Sequence, residues 1–582
     1  MPIILNFMNI LNRLLIVVVC LLTFQQYYTQ VEYDKTDFVA PMHIPLILSG
    51  NFAELRSNHF HTGLDIKTKG SQGYRIYAVD SGYVSRINIS HWGYGKAIYV
   101  THPNGYTSVY AHLSRFPEKI ENYLRKKQFE KKTETITVYP DSLDLLISKE
   151  EIIAYSGNSG SSGGPHLHFE IRETETEKAV NPLLFGFDIK DDIRPTVSNI
   201  KIYPLDNGFI NGKDIAKVYP TTGSFGEYRL KDNPVIEVDG EIGLGVHTID
   251  KLNGAGNKCG IYTIELFVDD SLVFRQTMEK IDFFTNRYIN AHKDYNEYHV
   301  KKRSFHRSYV SDNNKLELYD GLINKGKLNF KDDTIHQLKY IIKDTYGNTS
   351  TVKFQLKSNP KMAKTITEIA TEGDTIVMTG DVVIEKDGFK AYLPENSVYN
   401  DLRAKYKEEE MSKTASGLHQ FGNSKIPVQH YFIMKIKTQN IAKNMENKAV
   451  IVSISNDKRK VYAKGGEYKN GWVETKVRAF GNYAVKIDSV APAVTAVNVS
   501  EGKNLSSAKN IQFKISDNLS GIETYDAFVD EIWMLGKYVP KRGTYTIPFD
   551  SYNNISKGKH LLKVVVTDER GNETMKEYNF TR

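Results

Sequence analysis

Polar and apolar residues alternate along His166, Leu167, His168, Phe169, Glu170 and Ile171, the two-residue period of a strand with one buried face. The pattern predicts that Leu167 and Phe169 enter a core while His166 and His168 share the opposite face, their backbones about 6.6 Å apart. A Ser/Gly loop, "SGNSGSSGG", runs directly into this strand. Upstream, "KAIYVTHPNGYTSVYAHL" holds two alternating runs joined by Pro103-Asn104-Gly105, which predicts a hairpin. Strand parity places Tyr106, Ser108, Tyr110 and His112 on one of its faces and Thr107, Val109 and Ala111 on the other. Residues 115–147 break this rhythm with a charged stretch that predicts a helix followed by a strand, an excursion from an otherwise compact sheet.

Beyond residue 190 the pattern is almost entirely strand and turn, and it repeats. "PTVSNIKI" from Pro195 returns as "PAVTAVNV" from Pro492, "GIYTIELFVDD" from Gly260 as "GIETYDAFVDE" from Gly521, and "HQLKYIIKDTYGN" from His336 as "HLLKVVVTDERGN" from His560. Three anchors in one order predict two related Ig-like β-sandwiches, at 191–360 with insertions and at 488–582, each with an Asp-x-x-Gly-Asn turn. Residues 361–487 predict a further sandwich-like module with a polar, mobile segment around "KYKEEEMSKTASG". The fold class expected is therefore mostly β and multidomain, with an N-terminal antiparallel sheet domain over 30–190 followed by three β-sandwich modules.

A chain of 582 residues is too long for one core. The balance of 76 Lys+Arg against 69 Asp+Glu leaves +7, spread without basic blocks, so no nucleic-acid partner is expected. Arg13 and the apolar run 14–24 match a secretory signal, taken as residues 1–29. No other segment is long and apolar enough to span a membrane. Export would leave Cys259 as the one cysteine of the mature chain, without an intramolecular disulfide.

Candidate chemistry gathers before residue 190. Fully extended, His61 and Asp65 of "HTGLD" would stand about 13 Å apart, too far for one ion, so the chain is expected to bend at Thr62-Gly63. With the bend, His61, Asp65 and one histidine of the HLH strand offer two imidazoles and a carboxylate. Zinc accepts that set and keeps a fourth place for water, whose pKa it lowers to about 7. No HExxH helix is present to supply a glutamate base.

The ordered set "HTGLD", "YAHL" and "GPHLHFEI", with the glycine loop and the hairpin, resembles the lysostaphin-type (LytM-like) zinc endopeptidases of bacterial cell walls over about residues 50–190. The resemblance implies that Zn2+ is held by His61, Asp65 and His168, and that His112 and His166 are the two catalytic histidines beside it. It also implies peptide cross-links of peptidoglycan, the stem peptides, as substrate, and a location in the periplasm, cell envelope or outside the cell. Residues 115–147 depart from the shorter relatives and would roof the groove, restrict substrates or dock a partner. Of the remaining candidates, His59 is expected at the surface and His102 to steady the hairpin. Glu170 is either an acceptor for a ligand histidine or a solvated carboxylate, and Trp92 and Tyr94 are candidates to line the groove. Two other readings stand beside the hydrolase: a non-catalytic regulator of cell-wall amidases, and an exported binding protein whose sandwiches engage an envelope protein or polysaccharide.

Overall fold

The computed structural model describes residues 38–367 and 372–582; the expected signal segment and Cys20 lie outside the described residues. No described helix is long and apolar enough to cross a membrane.

The N-terminal domain is built on strands β1 (Leu48–Gly50), β2 (Leu64–Lys67), β3 (Arg75–Tyr77), β4 (Gly82–Ile89), β5 (Lys96–Thr101) and β6 (Tyr106–Ala111), followed by helix α1 (Glu118–Lys131). Strands β7 (Ile136–Val138), β8 (Leu146–Ile147), β9 (Ile152–Tyr155), β10 (His166–Glu173) and β11 (Ala179–Val180) complete it. The main sheet runs β1-β2-β10-β6-β5-β4-β7 and is antiparallel throughout. Its inner face carries Leu64, Ile66, Ile98, Val100, Tyr110, Leu167, Phe169 and Ile171 in one core. Full burial of Leu167 and Phe169 contributes about 1.5–3 kcal/mol each, which fixes the register of β10, because a one-residue slip would send both to the other face. That register sets His168 opposite Asp65 on one side and Ala111 on the other.

Residues 115–147 form the expected helix and strand. Pro117 caps α1, Glu118 and Glu121 occupy its first turn, and Lys132 closes it in the left-handed region at φ 46°. The helix buries Ile120 and Leu124 in the core of this domain.

In the first of the following modules twelve strands form one sheet, ten of them along a continuous path and two branching from it. Residues from its two ends, such as Ile200 and Leu244 against Leu338 and Phe354, share one core, so the path turns over into two layers. The repeat anchors take matching places. Thr263–Val268 pairs with Ile335–Lys343, which pairs with Thr349–Ser358; Ile522–Val529 pairs with Lys559–Asp568, which pairs with Glu573–Thr581. The last module has two sheets, of four and five strands, over one core. The middle module has two five-stranded sheets over another. Its polar segment is not a loose one: Tyr406–Glu409 pairs with Leu418–Phe421 in a hairpin.

Two modules grip the N-terminal domain. β11 pairs with Lys280–Ile281 of the first module, and Phe52, Phe60 and Ala179 share a core with Met278, Tyr288 and Ile289. From the other end of the chain, Tyr538 N–H and Tyr525 Oη donate to Glu134, 2.8 and 2.9 Å away. Phe129 of α1 meets Trp533 edge to face, and Lys541 Nζ donates to the Ser162 carbonyl. The excursion at 115–147 therefore docks a module of its own chain.

Candidate metal centre

His61 Nε2, Asp65 Oδ1 and His168 Nδ1 form a triangle with all three sides 3.0 Å. Each outer ring nitrogen faces an acceptor: His61 Nδ1 donates to Asn51 O at 2.7 Å and His168 Nε2 to Glu170 Oε1 at 2.8 Å. The inner nitrogens are thereby left as lone pairs beside a carboxylate, an arrangement that calls for a proton or a cation at its centre. Tetrahedral zinc sets its donors about 3.3 Å apart, close to the triangle seen. The residues fit the ion. Without a cation a proton takes that place: burial opposes it, yet hydrogen bonds to Asp65 and Glu170 push His168 up to about 9. Burial also works against the Asp65 anion, but the His61 charge and the bonds from His166, His168 and His61 hold its carboxyl well below the usual range.

The backbone explains how these groups meet. β2 begins only at Leu64, and His61 reaches Asp65 across the bend expected at Thr62-Gly63. The glycine is required for closeness rather than for a left-handed conformation: a Cβ at Gly63 would collide with the Phe169 carbonyl of β10. The Ser/Gly loop has a comparable reason. Gly160, at φ 67°, lies backbone to backbone against Gly93 and Gly95, and Ser159 Oγ accepts from Lys96 N–H at 2.9 Å.

His166 and His168 share a face, and His166 Nε2 lies 3.4 Å from Asp65 Oδ1. His112 arrives differently from the strand-parity expectation. Ala111 is registered with His168 and Tyr110 with Phe169, so the Tyr110 face is the core face, and simple alternation would bury His112 there. Instead β6 ends at Ala111, and His112, at φ 59°, turns back to the outer face. Its ring centroid stands 4.8 Å from that of His166 and 5.9 Å from that of His168. His112 Nδ1 donates to Ser159 O at 3.0 Å and His166 Nδ1 to Gly164 O at 2.8 Å, which leaves His112 Nε2 as an acceptor while His166 Nε2 faces Asp65. Burial, then the charges of His168 and His166, lower His112 to about 3.

Behind the triangle Glu170, 0 % exposed, is an acceptor rather than a solvated carboxylate. It takes hydrogen bonds from Thr62 Oγ1 (2.6 Å), Tyr94 Oη (2.5 Å) and Arg172 Nε (2.7 Å) besides His168. Burial works against the Glu170 anion, but the Arg172 charge and the His168 and Thr62 bonds outweigh it and hold the carboxyl far below its usual value. Tyr94 thus stands beside the centre, whereas Trp92 is 60 % exposed. His59 is exposed, and His102 links Ser81 O to Ser108 Oγ within the sheet. Two residues without a sequence signal complete the support: Asn51, which orients His61, and Arg56, whose Nη2 lies 3.1 Å from Asp65 Oδ2. Arg172 did have one, since it continues the 166-168-170 parity.

Residues 59–137 match Peptidase family M23, and residues 374–488 match the Zu5-like domain. The first match holds His61, Asp65 and His112; folding adds His166 and His168. An uncharacterized metalloprotease of Haemophilus influenzae is 33% identical over 123 residues, 21% of this chain and 20% of its own length. The DD-carboxypeptidase/endopeptidase Mpg of Neisseria meningitidis is 30% identical over 118 residues, 20% of this chain and 21% of its own. The chain thus spans about a fifth of the length of these curated relatives. Among solved structures, the catalytic domain of lysostaphin from Staphylococcus simulans is 22% identical, covering 24% of this chain and 87% of that one, with a TM-score of 0.18. A catalytic domain of the prophage-encoded M23 protein EnpA from Enterococcus faecalis is also 22% identical, covering 26% and 98%, with a TM-score of 0.20.

Proposed function

We propose, from the premise that residues 59–137 form an M23 peptidase domain, that this protein is an exported zinc metalloendopeptidase that cuts peptide cross-links of bacterial peptidoglycan. The observation that carries the reading is the meeting of three lone-pair donors, from His61, Asp65 and His168, beside two further imidazoles, each anchored through Nδ1 to a backbone carbonyl. Zinc held there would supply Lewis acidity and acidify a water at neutral pH. The remaining work falls to the chain's own residues. His112 and His166, each held in one tautomer by a backbone carbonyl, can take a proton at Nε2 and return it to a leaving amine. Glu170 and Asn51 keep the ligand rings in place, and Arg56 engages the second oxygen of Asp65, which would leave the first to a metal.

The presence of all five residues argues against a regulator that has lost its metal. The substrate class is supported by the Mpg likeness and by the sequence resemblance, and export by the N-terminal apolar run. The test is zinc content of the purified chain by mass spectrometry, followed by incubation with sacculi. One zinc per chain with release of newly uncrosslinked muropeptides is expected. A zinc-loaded protein that leaves sacculi intact would overturn the reading.

A further inference from the structure

The repeat that relates the first and last modules carries a second set of chemical groups. Asp191, Asp250 and Asp344 each bring a carboxylate oxygen within 4.8 Å of the other two, and so do Asp488, Asp517 and Asp568. These are the same three positions of the repeat. Asp191 and Asp488 each stand four residues before the opening proline, Pro195 or Pro492. Asp250 and Asp517 precede the Gly-Ile anchors, and Asp344 and Asp568 begin the Asp-x-x-Gly-Asn turns. The surrounding hydrogen bonds repeat as well. Asn348 Nδ2 donates to Asp344 Oδ2 (2.7 Å) and to Asp191 O (3.1 Å); Asn572 Nδ2 donates to Asp568 Oδ2 (2.7 Å) and to Asp488 O (2.9 Å).

Each cluster contains oxygens that nothing in the fold satisfies. Asp250 Oδ1, Asp488 Oδ1 and Asp517 Oδ1 are buried without a hydrogen-bond partner among the described residues, and Asp250 and Asp488 are only 2 % and 1 % exposed. No lysine, arginine or histidine among the described residues forms an ion pair with any of the six. Burying three mutually repelling carboxylates without a countercharge is costly. In the first cluster burial, and then the neighbouring carboxylates, push Asp250 up to about 8. Burial likewise pushes Asp191 up to about 7.

We propose that each triad is a binding site for a hard divalent cation, calcium before magnesium, placed at a seam between modules. The donors are oxygen only, which suits calcium and disfavours zinc. Calcium tolerates irregular sets of six to eight oxygens, whereas magnesium demands near-octahedral geometry and keeps its waters. The first site lies where the N-terminal domain meets the first module: Asp250 pairs through its backbone with Cys259, and Leu252 and Cys259 pack in the N-terminal core. The second lies where the middle module meets the last: Asp488 N–H donates to Lys448 O, and Lys448 Nζ to Arg570 O at 2.7 Å. A cation at each would bind linker to module by its three carboxylates.

The experiment is calorimetric titration of the zinc-loaded full chain with calcium chloride, with magnesium chloride in parallel. Two calcium equivalents per chain are expected, falling to one in Asp250→Asn or Asp488→Asn and to none in the double variant, with zinc content unchanged. Saturating calcium should raise the melting temperature of the natural chain by roughly 5 °C. Fewer than two equivalents on the natural chain, two equivalents on the folded double variant, or an equal response to magnesium would overturn the assignment. The natural-chain stoichiometry decides the matter even where a variant does not fold.

Discussion

His168 Nε2 lies 2.8 Å from Oε1 of Glu170, the next residue but one on the same strand face. One strand thus supplies both an inner donor and the carboxylate that fixes its tautomer. Glu170→Gln keeps the volume but weakens the acceptor and loosens Arg172. It should lower zinc affinity by about 10–100-fold, read by competition with a chelator of known affinity; unchanged affinity would separate Glu170 from the centre.

The donor and base roles divide cleanly by variant. His168→Ala and Asp65→Ala should emerge without bound zinc. His112→Ala should keep zinc and lose turnover by about 10²–10⁴-fold, measured as muropeptide release at equal zinc loading. Full zinc occupancy in both ligand variants would contradict the triangle.

Gly63→Ala drives a methyl group into the Phe169 carbonyl. A destabilisation of about 1–3 kcal/mol is expected, with weakened zinc retention because β2 must move away from β10. Denaturant unfolding checks the first and metal analysis the second.

Removing everything after residue 190 should not leave a sound domain. Phe60 and Ala179 would lose Met278, Tyr288 and Ile289. The loop before His61 would lose Lys293, whose Nζ donates to Arg56 O and Ser57 O at 2.5 and 2.7 Å. The expected result is a fragment that melts well below the full chain or aggregates; an equal melting temperature would show that the seam contributes little.

The Asp250 cluster makes calcium stabilisation depend on pH. Asp191 and Asp344 face Asp250, with Cys259, its thiol pushed up to about 12, and Tyr346 nearby. The Asp250 carboxyl rises from 3.8 to about 8 on folding, so its favourable contribution is complete below about pH 4 and is lost as pH climbs through 8. Calcium needs the charged form. Its effect on melting temperature should therefore be larger at pH 8.5 than at pH 5.5, and an equal shift at both would count against the cluster as the origin.

Much of this was legible in the chain itself, for reasons that differ by residue. The HLH strand declares its two faces because its alternation is strict and its apolar members are large. The repeat anchors sit on paired strands whose turn chemistry, such as His336 with Asp269 and His560 with Asp530, recurs in both modules. His112 defeats strand parity because a single left-handed residue reverses the face, and histidine carries no compositional mark of that conformation. Asn51 and Arg56 act from an irregular loop, where no period exists to read. Of the aspartate clusters only Asp344 and Asp568 were visible, as turn residues, since members of one cluster lie at least 29 residues apart in sequence.

The grip of Tyr525, Tyr538 and Lys541 on Glu134 and Ser162 closes the polypeptide into a clasp, with the peptidase at one jaw and the last module at the other. The modules between them then serve as a strut of fixed span. Lengthening or shortening that strut would pry the jaws apart and unsettle the Ser159–Ser162 backbone that steadies His112, at a distance no contact with the histidine would reveal.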